Sequence, residues 1–232
     1  GQFSFQPVEF MKIVLIISLA TYFGKRARRY FGKREFFESL AIASVPALLT
    51  ILQPDLGSAL VLIGIWFFVA LFAGMPKLYV FLLSIFGTII VLFSWLLFFA
   101  EYQKARILTF LDPAYDPLGQ GYNVTQAIIA IGSGGWFGRG LGFGSQSQLK
   151  FLPESHTDFI FAVIAEELGF FGVILLVGAF VLLMFRLLYS LKRSRDNFTS
   201  YLILGIASVI FIQLFVNVGM NLGMLPIVGL PL

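Results

Sequence analysis

Phe159 to Tyr189 reads FIFAVIAEELGFFGVILLVGAFVLLMFRLLY, with Glu166, Glu167 and Arg186 as its only charges. A run of about 20 apolar residues crosses a hydrocarbon core of about 30 Å, so this stretch is long enough to span a bilayer as a helix. Five further runs reach or approach that length: Val8–Gly24, Phe36–Gln53, Leu56–Met75, Leu78–Ala100 and Phe198–Val218. The 232 residues are 59% hydrophobic and 12% charged, with a mean hydropathy of +0.92, well outside the range of soluble domains. A lone strand cannot satisfy its backbone in lipid, and the alternation of a membrane barrel is missing. The expected fold is therefore an all-α integral membrane protein, a polytopic bundle with six transmembrane helices.

Basic residues orient the bundle. Lys25 to Arg34 carries six positive charges, and Lys77 and then Lys192, Arg193 and Arg195 follow the third and fifth runs. Connections rich in lysine and arginine stay on the cytoplasmic side, which sends the Gln53–Gly57 turn and residues 101–157 outward. That last segment lacks strong hydrophobic periodicity, so it is expected as a long extracytoplasmic loop between the fourth and fifth helices. Its turn residues and aromatics mark it as functional rather than disordered. Residues 1–232 read as a single transmembrane domain, expected to be part of a larger one because the chain opens on Gly and stops at PIVGLPL. The formal charge of +4 reports topology, so no nucleic-acid partner is expected. The chain has no cysteine, which excludes disulfides and thiolate metal sites.

Several polar residues interrupt the apolar pattern. Asp158 follows Ser155, His156 and Thr157 at the start of the fifth helix, where free backbone amides favour a carboxylate, either as a cap or as a site group. Neighbours on one turn cannot build a Ser/His/Asp relay, so His156 is expected to orient or contact substrate rather than activate a nucleophile. Glu9 and Lys12 are three apart on one helix face, as an ion pair or as groups facing a cavity. Asp55 either caps the helix after it or joins them. Glu166 and Glu167 need a partner on another element or a proton, and structural wiring and a transport path stay open for them. The glycine-rich run Ile131–Gln148 is no phosphate loop, lacking both the Lys-Ser/Thr ending and the dinucleotide spacing. Its glycines permit tight turns or close backbone approach, and Arg139, Lys150, Lys104 and Arg106 are the cations at hand. Glu9, Asp55 and Asp158 are hard oxygen donors that could hold a divalent cation, Mg or Mn.

Four stretches carry a resemblance: FQPVEFMK (Phe5–Lys12), QPDLGSALV (Gln53–Val61), the block from Tyr102 to Gly172, and NVGMNLGMLPIVGLPL (Asn217–Leu232). Together they resemble the SEDS family of cell-wall polymerases, the RodA/FtsW group, with wording closer to RodA. The resemblance implies a peptidoglycan glycosyltransferase that polymerises lipid II at the outer face of the bacterial cytoplasmic membrane, for cell elongation, beside a class B penicillin-binding protein and membrane lipid. Family members have about ten transmembrane helices, so others are expected before and after this chain. By motif, the family's catalytic aspartate falls on Asp158, its acidic and basic pair on Glu9 and Lys12 with Val8 replacing a small polar residue, and its turn aspartate on Asp55. Arg139 and His156 are then expected to bind substrate. A flippase for the same lipid-linked precursor and a division-type polymerase are the alternatives.

Overall fold

The computed structural model describes residues 6–26, 31–97, 99–117, 119–149, 151–152 and 157–230. The described elements are helices: α1 (Pro7–Arg26), α2 (Lys33–Leu52), α3 (Leu56–Phe72), α4 (Lys77–Leu97), α5 (Glu101–Leu111), α6 (Gln120–Gly134), α7 (Ser145–Gln148), α8 (Ile160–Arg193) and α9 (Asn197–Asn221), with a 3-10 turn at Pro113–Tyr115. Five of them, α1, α2, α4, α8 and α9, are long and apolar enough to span a membrane. The sixth expected span, α3, is apolar but has 17 residues, about 25 Å, which falls short of the hydrocarbon thickness. A multi-pass helical membrane protein is the outcome. No residue of α4 is buried within this chain, which leaves its apolar sides to face lipid or other parts of the protein.

Residues 101–157, expected as a loop, carry α5, the 3-10 turn, α6 and α7. The helix α6 escaped the hydropathy reading because, apart from Val124, its buried stripe is Gly121, Ala127, Ala130 and Gly134, glycines and alanines at helical spacing. Asp112 and Asp116 punctuate the segment. The first accepts the Ala114 amide at 3.0 Å and the second the Gln120 amide at 2.9 Å, so each starts the next helical turn.

The chain packs as two compact units. One contains residues 1–85 and 183–212, in which α1, α2 and α3 pack on one another. Its centre holds Leu19, Leu62, Ile65 and Trp66, each 2% exposed or less. The Trp66 indole donates to the Ser39 hydroxyl at 3.0 Å, which satisfies a buried N–H that apolar packing alone would leave orphaned. Aromatic rings gather at the basic end: Phe36 stacks on Tyr79 with centroids 4.7 Å apart, and Tyr201 meets both Phe23 and Phe72. There Glu38 accepts from Tyr22, Arg26 and Arg34.

The other unit contains residues 86–182 and 213–232. Ala127 and Ala130 of α6 form its core with Leu152, Phe159 and Ala162, and Ile227 packs on the same cluster. Here α8 is broken: its 34 residues would make a rod of about 51 Å, but Gly169 departs from helical geometry at φ 66°, ψ −163°.

Candidate functional site

The break in α8 explains the glycine-rich run. Arg139 and Gly140 donate their backbone amides to the carbonyls of Glu166 and Glu167, both at 3.0 Å, while Phe170 and Phe171 donate to Gly135 and Trp136 at 2.9 and 3.2 Å. Backbone meets backbone here with no room between. A Cβ at Gly138 would overlap the Glu167 carbonyl oxygen, and one at Gly169 would overlap the Gly138 amide. The glycines thus serve close approach to another stretch of this chain. Glu166 completes the docking: fully buried, its carboxylate accepts from the Gln146 amide at 2.9 Å and the Ser145 hydroxyl at 3.4 Å. Of the two readings left open for Glu166, structural wiring is the one its contacts support.

Asp158 stands just before α8, partly exposed. Its carbonyl accepts from the side-chain amides of Asn221 at 2.9 Å and Asn217 at 3.1 Å, both fully buried on α9. Asn221 Oδ1 accepts from the Ala162 amide at 3.2 Å, and Asn217 Nδ2 also donates to the Leu230 carbonyl at 2.9 Å. Gly229, at φ 68°, lies against the Asp158 carboxylate, since a Cβ there would be 3.6 Å from Asp158 Oδ2. The two asparagines were not singled out in the sequence. Their signal was available: Gln213, Asn217 and Asn221 recur every four residues in a mostly apolar helix, and amides there have to point at polar partners.

The segment that brings Gly229 to Asp158 also lines a small cavity of about 60 Å³, walled by Arg106 and Thr109 of α5, Val124 and Ile128 of α6, and Gly223 and Pro226. The Thr109 hydroxyl is buried there without a hydrogen-bond partner among the described residues. Arg139 is exposed, its Nε donating to the Ser133 carbonyl at 3.3 Å. His156, Glu154 and Lys150 lie outside the described residues.

In the first unit, Lys12 is 3% exposed and donates to Glu9 Oε1 at 2.7 Å, so the pair forms as the i,i+3 spacing predicts. Asp55 caps α3, accepting the Ser58 amide at 2.9 Å. No group of three or more His, Cys, Asp or Glu suited to a metal gathers among the described residues. Glu9 is already paired to an ammonium and Asp55 to a backbone amide.

A family model described as cell cycle protein, FtsW/RodA/SpoVE, matches residues 1–232. The chain belongs to this family, the SEDS proteins. Among SEDS relatives, the peptidoglycan glycosyltransferase MrdB of Escherichia coli K12 is 38% identical over 232 residues, covering all of this chain and 62% of MrdB. A protein named probable peptidoglycan glycosyltransferase FtsW, from Tolumonas auensis, is 40% identical over 237 residues, covering 100% of this chain and 61% of its own length. The chain thus spans about three fifths of these relatives. Similar identity to MrdB and FtsW means that the RodA-like wording does not separate the two branches. A structure titled for the coordination of polymerization and crosslinking by a peptidoglycan synthase complex matches with TM-score 0.73 at 35% identity, over 100% of this chain and 64% of that one. Thermus thermophilus RodA matches with TM-score 0.64 at 28% identity, over 100% of this chain and 59% of that one.

Proposed function

We propose that the full-length protein is a peptidoglycan glycosyltransferase that polymerises lipid II at the outer face of the bacterial cytoplasmic membrane, with Asp158 as general base. One observation carries the reading: a partly exposed carboxylate at the foot of α8, whose own backbone is clamped by two buried asparagines. A base has to be held in place to take a proton from a specific hydroxyl. Asp158 removes the proton from the acceptor sugar's 4-hydroxyl, whose oxygen bonds to the anomeric carbon of the donor. The bond from that carbon to the lipid diphosphate breaks, the diphosphate leaves with the electron pair, and attack from the opposite face turns an α-linked donor into a β-linked product.

The leaving diphosphate needs positive charge, for which Arg106 and Arg139 are candidates in the same unit as Asp158, while Lys12 belongs to the other unit. The cavity beside Arg106 and Thr109 has donors suited to a phosphate oxygen. A Mg or Mn ion held through the diphosphate and one carboxylate such as Asp158, Glu9 or Asp55 would add charge neutralisation. His156 is proposed to contact substrate from the stretch before Asp158. A class B penicillin-binding protein is the proposed partner, on the strength of the synthase complex in which a relative was solved. We assign the elongation role, with division as the second branch. The flippase reading drew on Glu166 and Glu167, and the Glu166 carboxylate is already engaged by Gln146 and Ser145.

The test supplies lipid II to the purified full-length protein with its transpeptidase partner inactivated, and measures glycan chains for native and Asp158→Asn forms. A loss of at least about 100-fold is expected for a missing general base. Native-level polymerisation by Asp158→Asn would remove the assignment, and lipid scrambling without polymerisation would favour the flippase.

A further inference from the structure

In a regular helix the Ala162 amide would bond the Asp158 carbonyl four residues back. At the start of α8 neither group meets the other: the Ala162 amide donates to Asn221 Oδ1 at 3.2 Å, and Asn221 Nδ2 donates to the Asp158 carbonyl at 2.9 Å. A carboxamide presents a donor and an acceptor as a peptide unit does, so the Asn221 side chain is inserted into the first turn in place of one hydrogen bond. The next turn is regular, with the Val163 amide on the Phe159 carbonyl at 3.1 Å. The helical ladder therefore resumes one residue after Asp158.

Asn217 ties the opened turn to a second segment. Its Nδ2 donates both to the Asp158 carbonyl at 3.1 Å and to the Leu230 carbonyl at 2.9 Å, and its own carbonyl accepts from Asn221 Nδ2 at 2.8 Å. The result is a pair of fully buried amides joining Asp158, α9 and Leu230, with Gly229 set against the carboxylate. An apolar residue at 221 would let Asp158 and Ala162 bond each other directly. The turn would close with its hydrogen bonds satisfied, and the aspartate would be drawn into α8.

We infer that Asn221, assisted by Asn217, is a positioning residue that holds the first turn of α8 open and so sets where the Asp158 carboxylate stands against the Gly229–Leu230 segment. The inference rests on the reading of Asp158 as the base. It assigns Asn221 no contact with substrate.

Full-length native, Asn221→Leu, Asn221→Asp, Asp158→Asn and doubly substituted Asn221→Leu/Asp158→Asn proteins are assayed with lipid II, and rates are expressed per folded protein after size exclusion. Asn221→Leu is expected to lower kcat at least about 30-fold while changing KM less than about 3-fold, the pattern of a group that matters only in the transition state. Asn221→Asp keeps the acceptor for Ala162 but not the donor to Asp158, so it should also lose kcat, and as a near-isostere it keeps the question answerable should the leucine variant not fold. In the Asp158→Asn background, Asn221→Leu should cost no further activity, because nothing remains to be positioned. Native kcat in either folded Asn221 variant, or a full additional loss in the double variant, would overturn the inference. Native-level activity in Asp158→Asn alone would instead overturn the general-base reading, so the two failures are distinct.

Discussion

The carboxylate of Glu166 accepts a hydrogen bond at 2.9 Å from the backbone amide of Gln146, 20 positions earlier in the chain. A buried acid in a membrane helix is therefore holding an extramembrane-type loop in place. Glu166→Gln keeps an oxygen acceptor at the same reach and should cost under about 1 kcal/mol. Glu166→Ala leaves the Gln146 amide without its acceptor and should cost about 1–3 kcal/mol. Thermal unfolding of the full-length protein in detergent measures both, and equal midpoints for the two variants would contradict the bond.

Close backbone contact between the glycine-rich run and α8 makes a sharper prediction. Gly138→Ala and Gly169→Ala both drive a methyl group into main-chain atoms, and both positions have positive φ, +79° and +66°. Each should destabilise by about 3 kcal/mol or more, since backbone cannot step aside as a flexible side chain can. Gly178→Ala is the control. Nothing lies within 4 Å of its added Cβ, and helix propensity should raise stability by up to about 1 kcal/mol.

The Glu9–Lys12 pair is lopsided, with side-chain exposures of 46% and 4%. Removing the exposed partner strands a buried ammonium, so Glu9→Gln should destabilise by about 1–3 kcal/mol. Removing the buried one leaves a carboxylate that water can solvate, so Lys12→Met should stay within about 1 kcal/mol of native. The reverse order in unfolding midpoints would show that Lys12 is not buried as described.

Between α8 and α9, Asp196 accepts from the Thr199 amide at 3.1 Å, the Thr199 hydroxyl at 3.0 Å and the Phe198 amide at 3.4 Å. These bonds, the Thr199 amide first, hold its carboxyl below the usual carboxylate range. A depressed folded pKa stabilises the protein above the unfolded value and loses that contribution as pH falls through the folded one. Asp196→Ala should therefore unfold at a lower temperature than native at pH 7, with the gap shrinking below about pH 4. A gap that persists at low pH would refute the charged cap.

The spans were legible because lipid demands long apolar runs, and the five longest can be read directly from hydropathy. The α6 helix was not, since Gly121, Ala127, Ala130 and Gly134 bury themselves by being small rather than oily. Asp55 and the Glu9–Lys12 pair were legible because their partners lie three residues away. Glu166, Asn217 and Asn221 were not, because their partners are 13 to 63 residues distant.

By itself, the sequence determined that this is a helical membrane protein, which residues could carry charge within it, and through its motifs the family to which it belongs. Only the tertiary structure decided that the glycine-rich run packs on a broken α8, that Glu166 anchors it, and that two buried amides clamp the carbonyl of Asp158. The division has a physical cause. Partition into lipid and helical pairing depend on residues within a turn or a span of each other, whereas the partner of a buried polar atom is chosen by which distant backbone the fold brings within hydrogen-bonding distance.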